Sequence, residues 1–377
     1  MGGLYIHIPF CKSKCIYCDF YSVGSKNAPW NTFVSSILNE LTIRLNELPT
    51  NISTIYIGGG TPSQMPNDIL KYLINNIKSL CGDKWNIKEF TIEVNPEDVT
   101  NEYVETLLSI GVNRVSMGIQ SLNDNELKLL NRRHSSEQAI NAFNLLSRIP
   151  NKSVDLIFGL PNQSINSWIS IIEKILDLRP NHISAYSLMF EEGTTIYLMR
   201  QQGRIKEADE NVSNEMFNVL LNRLKQVGYE QYEISNFALP GYESIHNTNY
   251  WKGISYLGLG PSAHSYDGHK IRKCNPSSYK KYIDFYMSEK KHIESFYNEE
   301  ILSDEELFEE YVITRMRMKG GIDISDLKTK FGDFRLNQFT SNAEKYIKSG
   351  KIIKSDSHYA LSEEGIMISD MIFVDLI

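Results

Sequence analysis

The sequence predicts an α/β fold, a partial or full (βα) barrel followed by a small α+β unit. Two patterns predict it. Apolar, β-rich runs alternate with runs of helical period through the first half of the chain, and this alternation stops after Leu188. Strands that alternate with helices imply parallel strands joined by right-handed crossovers. A third feature, three cysteines within eight residues near the N-terminus, marks where such a barrel would carry chemistry.

The strands read as Leu4–Ile8, Thr54–Ile57, Glu89–Val94, Arg114–Met117, Val154–Phe158 and His182–Leu188. Between the first two, Phe33, Ile37, Leu41, Leu45 and Leu48 recur at helical spacing. Leu70, Leu73, Ile74, Ile77 and Leu80 mark the second helix, Val104, Leu107, Leu108 and Ile110 the third, and Ile169, Ile172, Ile175, Leu176 and Leu178 a later one. A helix over Asn211–Val227 precedes a loop-rich stretch, Glu230–Asn275. The remainder holds a helix over Glu305–Met318, a turn at Gly320-Gly321, two more helical stretches and a hairpin within Lys351–Leu361. We therefore expect a barrel core over 1–230, an extension over 231–279 and a winged-helix-like α+β domain over 280–377. Residues 301–377 carry ten Lys and Arg against fourteen Asp and Glu, a net charge of −4, the wrong sign for phosphate binding. A lid or interaction role suits this segment better than DNA binding. Its last run, Ile366–Ile377, reads as core packing, since Asp370 and Asp375 oppose anionic lipid.

At 377 residues the chain has room for one large domain and a small one. Its 41% apolar and 23% charged residues are ordinary for a globular protein, and a net charge of −7 argues against a nucleic-acid partner. No run approaches a membrane span, and Met1-Gly2-Gly3-Leu4 leads straight into a strand, so a cytoplasmic protein is expected. Five cysteines without an export signal read as intracellular thiols rather than a disulfide framework.

Cys11, Cys15 and Cys18 form a C-x-x-x-C-x-x-C loop containing Lys12 and Lys14, whose charges would lower thiol pKa and offset a ligated cluster. A closed zinc site needs a fourth Cys or His, and Cys81 and Cys274 are remote in sequence. An iron–sulfur cube normally takes four thiolates, so three would leave one iron with an open position.

This spacing, with Tyr17 just before the third cysteine, resembles the cluster loop of the radical S-adenosylmethionine (SAM) superfamily. The run Tyr5-Ile6-His7-Ile8-Pro9-Phe10-Cys11 resembles the oxygen-independent coproporphyrinogen oxidase group. Oxidases proper carry another cysteine two residues after the third. Here Phe20 stands there, and Cys18-Asp19-Phe20 instead resembles the sister group, the HemW-type heme chaperones. The resemblance implies an incomplete barrel of about six units and a [4Fe-4S] cluster whose open iron is chelated by the methionine part of SAM.

The remaining motifs lie at strand ends, where barrels of this kind bind ligands. Gly58-Gly59-Gly60-Thr61 follows the second strand. By itself it is a tight turn; by resemblance, Gly59, Gly60 and Thr61 pair with the aminoacyl part of SAM. Glu93 is a loop-capping acid or the partner of the methionine ammonium. Gln120 suits a ribose hydroxyl, and Arg132 the methionine carboxylate, although Arg133 beside it leaves that choice open. Asp155 sits in an apolar run and needs a ligand or an Arg as partner. Tyr5 and Tyr17 match ligand-contact positions of the family, with packing beside the loop as the alternative. His7 alternates away from Ile6 and Ile8, towards the same cofactor. The glycine-rich segment Tyr256-Leu257-Gly258-Leu259-Gly260 would pass close to adenosine, with His264 near it.

His246-Asn247-Thr248-Asn249-Tyr250-Trp251 fits the H-N-x-x-Y-W element of the heme chaperones. A neutral imidazole is a good ligand for heme iron, and Tyr250 and Trp251 offer flat surface to a porphyrin. A turn-stabilising histidine beside packed aromatics is the plainer account. The resemblance implies a chaperone that binds heme and passes it to acceptor hemoproteins, with homodimers and peripheral membrane association. The competing expectation is oxidative decarboxylation of coproporphyrinogen III, against which Phe20 weighs.

Overall fold

The computed structural model of the chain describes residues 2–288 and 296–377. Six strands match the apolar runs: β1 (Gly2–Ile8), β2 (Ile52–Gly59), β3 (Trp85–Val94), β4 (Arg114–Gln120), β5 (Asn151–Phe158) and β6 (His182–Ser187). They are neighbours in that order and all parallel. Their crossovers contain α1 (Trp30–Ile43), α2 (Asn67–Cys81), α3 (Asn101–Ser109), α4 (Asp124–Leu129), α5 (Ser136–Leu145) and α6 (Ile165–Leu178). Leu4, Ile6 and Ile8 of β1 join Phe33, Ile37 and Leu41 of α1 in one hydrophobic core. The alternate residues, Tyr5 and His7, point to the other face, as a period of two requires.

The helices differ from expectation in three places. α1 stops at Ile43, and Leu45–Glu47 form a 3-10 turn instead of continuing it. The pair α4 and α5 was not expected, although α5 opens on a capping box in which Ser135 and Gln138 satisfy each other's backbone N–H. On α6 the buried stripe is Trp168, Ile171, Ile172 and Ile175, while Ile169 is exposed. A stripe that starts one residue earlier keeps the bulky indole in the core.

The stretch expected to be loop-rich supplies the edges of the sheet. After α7 (Thr195–Gln201) and α8 (Glu210–Gln226) come β7 (Glu230–Glu233) and β8 (Asn236–Ala238), antiparallel beside β6. The helix α9 (Ile245–Trp251) follows, and then β9 (Tyr256–Leu259) returns to pair in parallel with the far side of β1. β10 (His264–Tyr266), β11 (Ile271–Cys274) and β12 (Asn298–Ile301) continue outward, antiparallel. The result is one twelve-stranded sheet, β12-β11-β10-β9-β1-β2-β3-β4-β5-β6-β8-β7, whose two ends share no ladder among the described residues. The barrel is thus partial. Strands of three or four residues fall below the length at which alternation is readable.

The boundary expected at 280 also shifts. α10 (Tyr279–Met287) packs Tyr282 and Tyr286 into the barrel core, and β12 still belongs to the large sheet. A second core begins at Phe308, built from α11 (Asp304–Met316), α12 (Ile324–Lys348, broken at Gly332 by φ 77°), and, after α13 (Glu363–Ile366), α14 (Ser369–Leu376). A small sheet, β13 (Ile322–Asp323), β15 (His358–Leu361) and β14 (Ile352–Lys354) in that order, completes the winged-helix-like unit. Ile372, Phe373 and Leu376 are buried in it, as the core-packing reading of the C-terminal run expects.

One carboxylate ties the return segment to the barrel. Glu40 of α1 is fully buried and accepts from Arg44 Nη1 (2.8 Å), Gly260 N (2.9 Å), Asn275 Nδ2 (2.7 Å) and Tyr282 OH (2.5 Å). Arg44 in turn donates to Gly258 O and Ser265 Oγ. Removing Glu40 leaves Arg44 with Glu47 as its counter-charge but deprives the Gly260, Asn275 and Tyr282 donors of their buried acceptor. Glu40→Ala is expected to cost about 3–5 kcal/mol in urea denaturation; a loss below about 1 kcal/mol would show that the other contacts hold β9 in place.

Candidate functional site

The cysteine loop leaves the C-terminal end of β1. Phe10 and Cys11 pair with Val23 and Gly24 in a two-residue ladder, and Ser25 N donates to Cys11 O (2.8 Å). Phe10 anchors the entry by edge contacts with Trp30, Phe33 and Tyr279. The loop is also held from outside: Asn131 Nδ2 donates to Lys14 O, Ile16 N to Leu130 O, and Ile196 N to Ile16 O. Tyr17 packs beside Leu130, Ile157, Leu160 and Leu188, and burial holds its hydroxyl neutral. All three thiols are half-buried and free. Burial pushes Cys18 up to about 11, and the nearby Lys14 charge acts in the opposite, lowering direction without overcoming it. Among the described residues no three side chains converge on a single-ion site. A cube does not ask for that, because each thiolate binds its own iron.

The glycine turn is shaped by its neighbours. Gly60 N donates to Ile8 O (2.7 Å), and a Cβ there would lie 3.0 Å from Cys11 Sγ. At Gly59, with φ +108°, a Cβ would come within 2.6 Å of the His7 ring. Thr61 Oγ1 lies 3.4 Å from Cys11 Sγ. Gly59 N and Tyr56 OH both donate to Glu93, at 3.1 and 2.7 Å. Burial first, then the Asp155 charge, pushes Glu93 up to about 7. A carboxylate in that state gains most from an arriving ammonium.

Arg132 fills the gap between this turn and the loop. It donates through Nη2 to Asn95 Oδ1 (2.8 Å) and Gly118 O (2.6 Å), its Nη1 is 3.4 Å from Cys15 Sγ, and its buried Nε has no partner. Arg133 points away and pairs with Glu97. Gln120 ends β4 at φ +66°, a left-handed conformation that costs a non-glycine residue about 1 kcal/mol. Asp155 accepts from Ser116 Oγ (3.0 Å), and burial raises its pKa. The Arg114 charge, and after it that of Arg132, opposes this rise, so Asp155 faces arginine across the lumen without a direct ion pair among the described residues.

Three histidines lie in different surroundings. Both nitrogens of His7 are occupied, Nδ1 by Tyr5 OH and Nε2 by Tyr21 O, each at 2.9 Å. His264 is exposed on β10, with Nε2 3.3 Å from Cys274 Sγ. The glycines near it serve close backbone packing: a Cβ on Gly258 would sit 2.0 Å from His264 O, and one on Gly260 2.5 Å from His7 O. His246 is not on a loop but on α9, which plugs the opposite, N-terminal end of the barrel. Glu89 caps this helix, accepting from Ile245 N (2.7 Å) and His246 N (2.9 Å). The His246 ring stacks on Tyr56 and lies 2.8 Å from both Thr54 Oγ1 and Tyr250 OH. Burial pushes its pKa down to about 3, so it is neutral, as a heme ligand should be, but neither nitrogen is offered to iron in this arrangement. Tyr250 also packs edge-on to Tyr256, and Trp251 lies under the Arg317 guanidinium.

Several lumen groups went unrecognised in the sequence: Thr54, Tyr56, Glu89, Arg114, Ser116, His182 and Ser184. Their signal is the alternation itself. Thr54-Tyr56-Gly58, Glu89-Thr91-Glu93 and Arg114-Ser116-Gly118 place every second residue of a strand on one polar face, hidden inside runs read only for their apolar members. Three thiols at the strand ends, a glycine cradle, a proton-holding Glu93 and an incompletely paired Arg132 fit a cluster with a zwitterionic amino-acid ligand beside it.

Two family descriptions match the chain, "Radical SAM superfamily" over residues 5–175 and "HemN C-terminal domain" over residues 302–368. The chain is 33% identical over 377 residues to the heme chaperone HemW of Bacillus subtilis, covering 99% of this chain and 98% of that one. It is 34% identical over 334 residues to the heme chaperone HemW of Lactococcus lactis, covering 88% and 85%. Among solved structures, the coproporphyrinogen III oxidase HemN of Escherichia coli superposes with a TM-score of 0.82 over 99% of this chain and 89% of its own, at 20% identity, a likeness of fold.

The state of Glu93 is measurable. Its folded pKa, about 7, lies above the ordinary value of 4.5. The folded chain therefore holds a proton that the unfolded chain gives up, and stability falls as pH rises from about 4.5 through about 7. In the cofactor-free chain, Glu93→Gln is expected to remove a loss on the order of 3 kcal/mol across that window. Identical pH–stability curves for the two chains would contradict this.

Proposed function

The chain belongs to the HemW heme chaperone family within the radical SAM superfamily, and from that membership we propose that it binds heme and delivers it to acceptor hemoproteins. The observation that carries the reading is a relationship running the full length of the chain, through both the barrel and the C-terminal unit. Membership brings a [4Fe-4S] cluster and SAM. When bound, the pair supplies one-electron chemistry, while the protein supplies placement and electrostatics.

In this proposal Cys11, Cys15 and Cys18 hold three irons. Arg132, beside Cys15, takes the methionine carboxylate, and Glu93 takes the ammonium, surrendering its proton. Gly59, Gly60 and Thr61 offer backbone along the same amino acid, while Gln120 and Asp155 receive ribose hydroxyls. Tyr5 and Tyr17 wall the site. At the other end, the segment His246–Trp251 serves heme. His246 acts there as a positioning residue for α9, since its hydrogen bonds to Thr54 and Tyr250 hold the helix in the barrel floor. A homodimer, peripheral membrane association and a cytoplasmic location belong to the same proposal; among the described residues no helix is long and apolar enough to cross a membrane.

The decarboxylase reading has the fold in its favour. Against it, Phe20 places an exposed phenyl ring where that group carries a thiol, and a phenyl ring can neither ligate metal nor exchange protons.

Anaerobically reconstituted protein is expected to lose the visible absorbance of its cluster when any one of Cys11, Cys15 or Cys18 becomes Ser. Retention of a cube in such a variant would overturn the ligand set. Added hemin is expected to give a Soret band and to move to an apo-hemoprotein on mixing. Coproporphyrinogen III supplied to the same preparation is expected to remain unconverted, and its conversion to protoporphyrinogen IX would decide for the decarboxylase.

A further inference from the structure

A cavity of about 820 Å³ opens at the barrel floor, the end remote from the cysteine loop. That volume is within the range of small-molecule sites, about 300–1,000 Å³. Its walls are the starts of β3, β4 and β5, one side of α9, and the turn at Met318–Gly320 that enters the C-terminal unit.

Arg114, the first residue of β4, lines this cavity and is 2% exposed. Its Nε and Nη1 are buried with no hydrogen-bond partner, and it forms no ion pair among the described residues, although its charge reaches the buried carboxyls of Asp155 and Glu93 further along the lumen. Such a guanidinium is costly to bury unless something anionic meets it. Two neutral acceptors in the same wall, Asn151 Oδ1 and Thr248 Oγ1, are likewise buried and unpaired. Glu89, the buried carboxylate of the wall, does not answer Arg114, because Ser244 Oγ and the first N–H groups of α9 occupy it. At the rim, Lys88 and Lys252 are exposed and without ion pairs among the described residues, Lys319 is paired with Glu230, and Glu243 is a half-buried acid. Tyr242 and Ile245 give the mouth an apolar face, each more than a third exposed.

The occupant these groups ask for has an apolar body, at least one carboxylate reaching inward and further negative charge near the rim. We propose that this cavity is the heme site, with a propionate carboxylate on the Arg114 guanidinium and the ring edge against Tyr242 and Ile245. The inference rests on the heme reading given above and assigns it a place. It puts the porphyrin on the outer side of α9, with His246 behind the helix, and makes Arg114 the residue that selects for the acid side chains.

The test is titration of the full, anaerobically reconstituted chain with hemin and with hemin dimethyl ester, read by the Soret band. Arg114→Met is expected to weaken hemin binding about tenfold or more, the usual scale for a lost charge-assisted contact. The ester is expected to bind both chains equally and weakly. The variant's melting temperature should equal or exceed that of the unsubstituted chain, because an unpaired buried charge has been removed. Ile245→Glu, at the mouth, supplies an independent variant and should also weaken hemin binding. Hemin binding by both variants at the affinity of the unsubstituted chain would overturn the site while leaving the chaperone reading in place. Equal affinity of the unsubstituted chain for hemin and its ester would overturn the Arg114 contact. Absence of any hemin binding by the unsubstituted chain would sink both readings.

Discussion

Polar side chains inside a barrel must find partners there, and this requirement governs the molecule more than any single contact. Each buried group left unpaired costs on the order of 1–3 kcal/mol. The lumen side chains answer with pairs, mostly between neighbouring strands: Thr54 with His246, Tyr56 with Glu93, Ser116 with Asp155, Ser153 with His182 and His182 with Tyr232. Together they fix α9 in the floor and Glu93 under the glycine turn. Two guanidiniums stay short of partners, Arg132 at the thiol end and Arg114 at the floor. The charged lumen groups short of hydrogen bonds therefore lie towards its two ends, while Thr91 Oγ1 is a neutral unpaired group between them.

The open sheet explains how one chain serves two ends. A closed barrel would seal its floor with its own side chains. Here the chain leaves β8, lays α9 across the floor, and returns as β9 on the far side of β1. Gly258 and Gly260 let that return strand lie against His264 and His7 backbone, and Glu40 secures it by accepting from Gly260, Asn275 and Tyr282. The thiol loop and the return strand flank the same β1, so His7, between Tyr5, Tyr21 and Gly59, braces both.

Much of the site was readable from residues because its chemistry sits in short, contiguous runs. The thiols stood out by spacing alone, while the Gly58–Gly60 turn and Glu93 were singled out by resemblance to the family. His246 was harder. Its neighbours in sequence suggested a ligand, and its neighbours in space, Thr54 and Tyr56 from a strand some 190 residues earlier, hold its ring by a hydrogen bond and stacking. Arg114 carried no local signal, because an arginine opening a strand is ordinary until its buried Nε and Nη1 are seen to lack hydrogen-bond partners.

The sequence by itself determined the parallel αβ alternation, the three-thiol loop and the absence of a thiol at Phe20, since each depends on residue type and on spacing of a few positions. Tertiary structure alone decided that 230–275 becomes sheet edge and floor, that the second core starts at Phe308 rather than at 280, and that Arg132 rather than Arg133 faces the thiols. Those outcomes are set by which distant groups meet in a buried space, and burial is a property of the assembled lumen rather than of any segment that lines it.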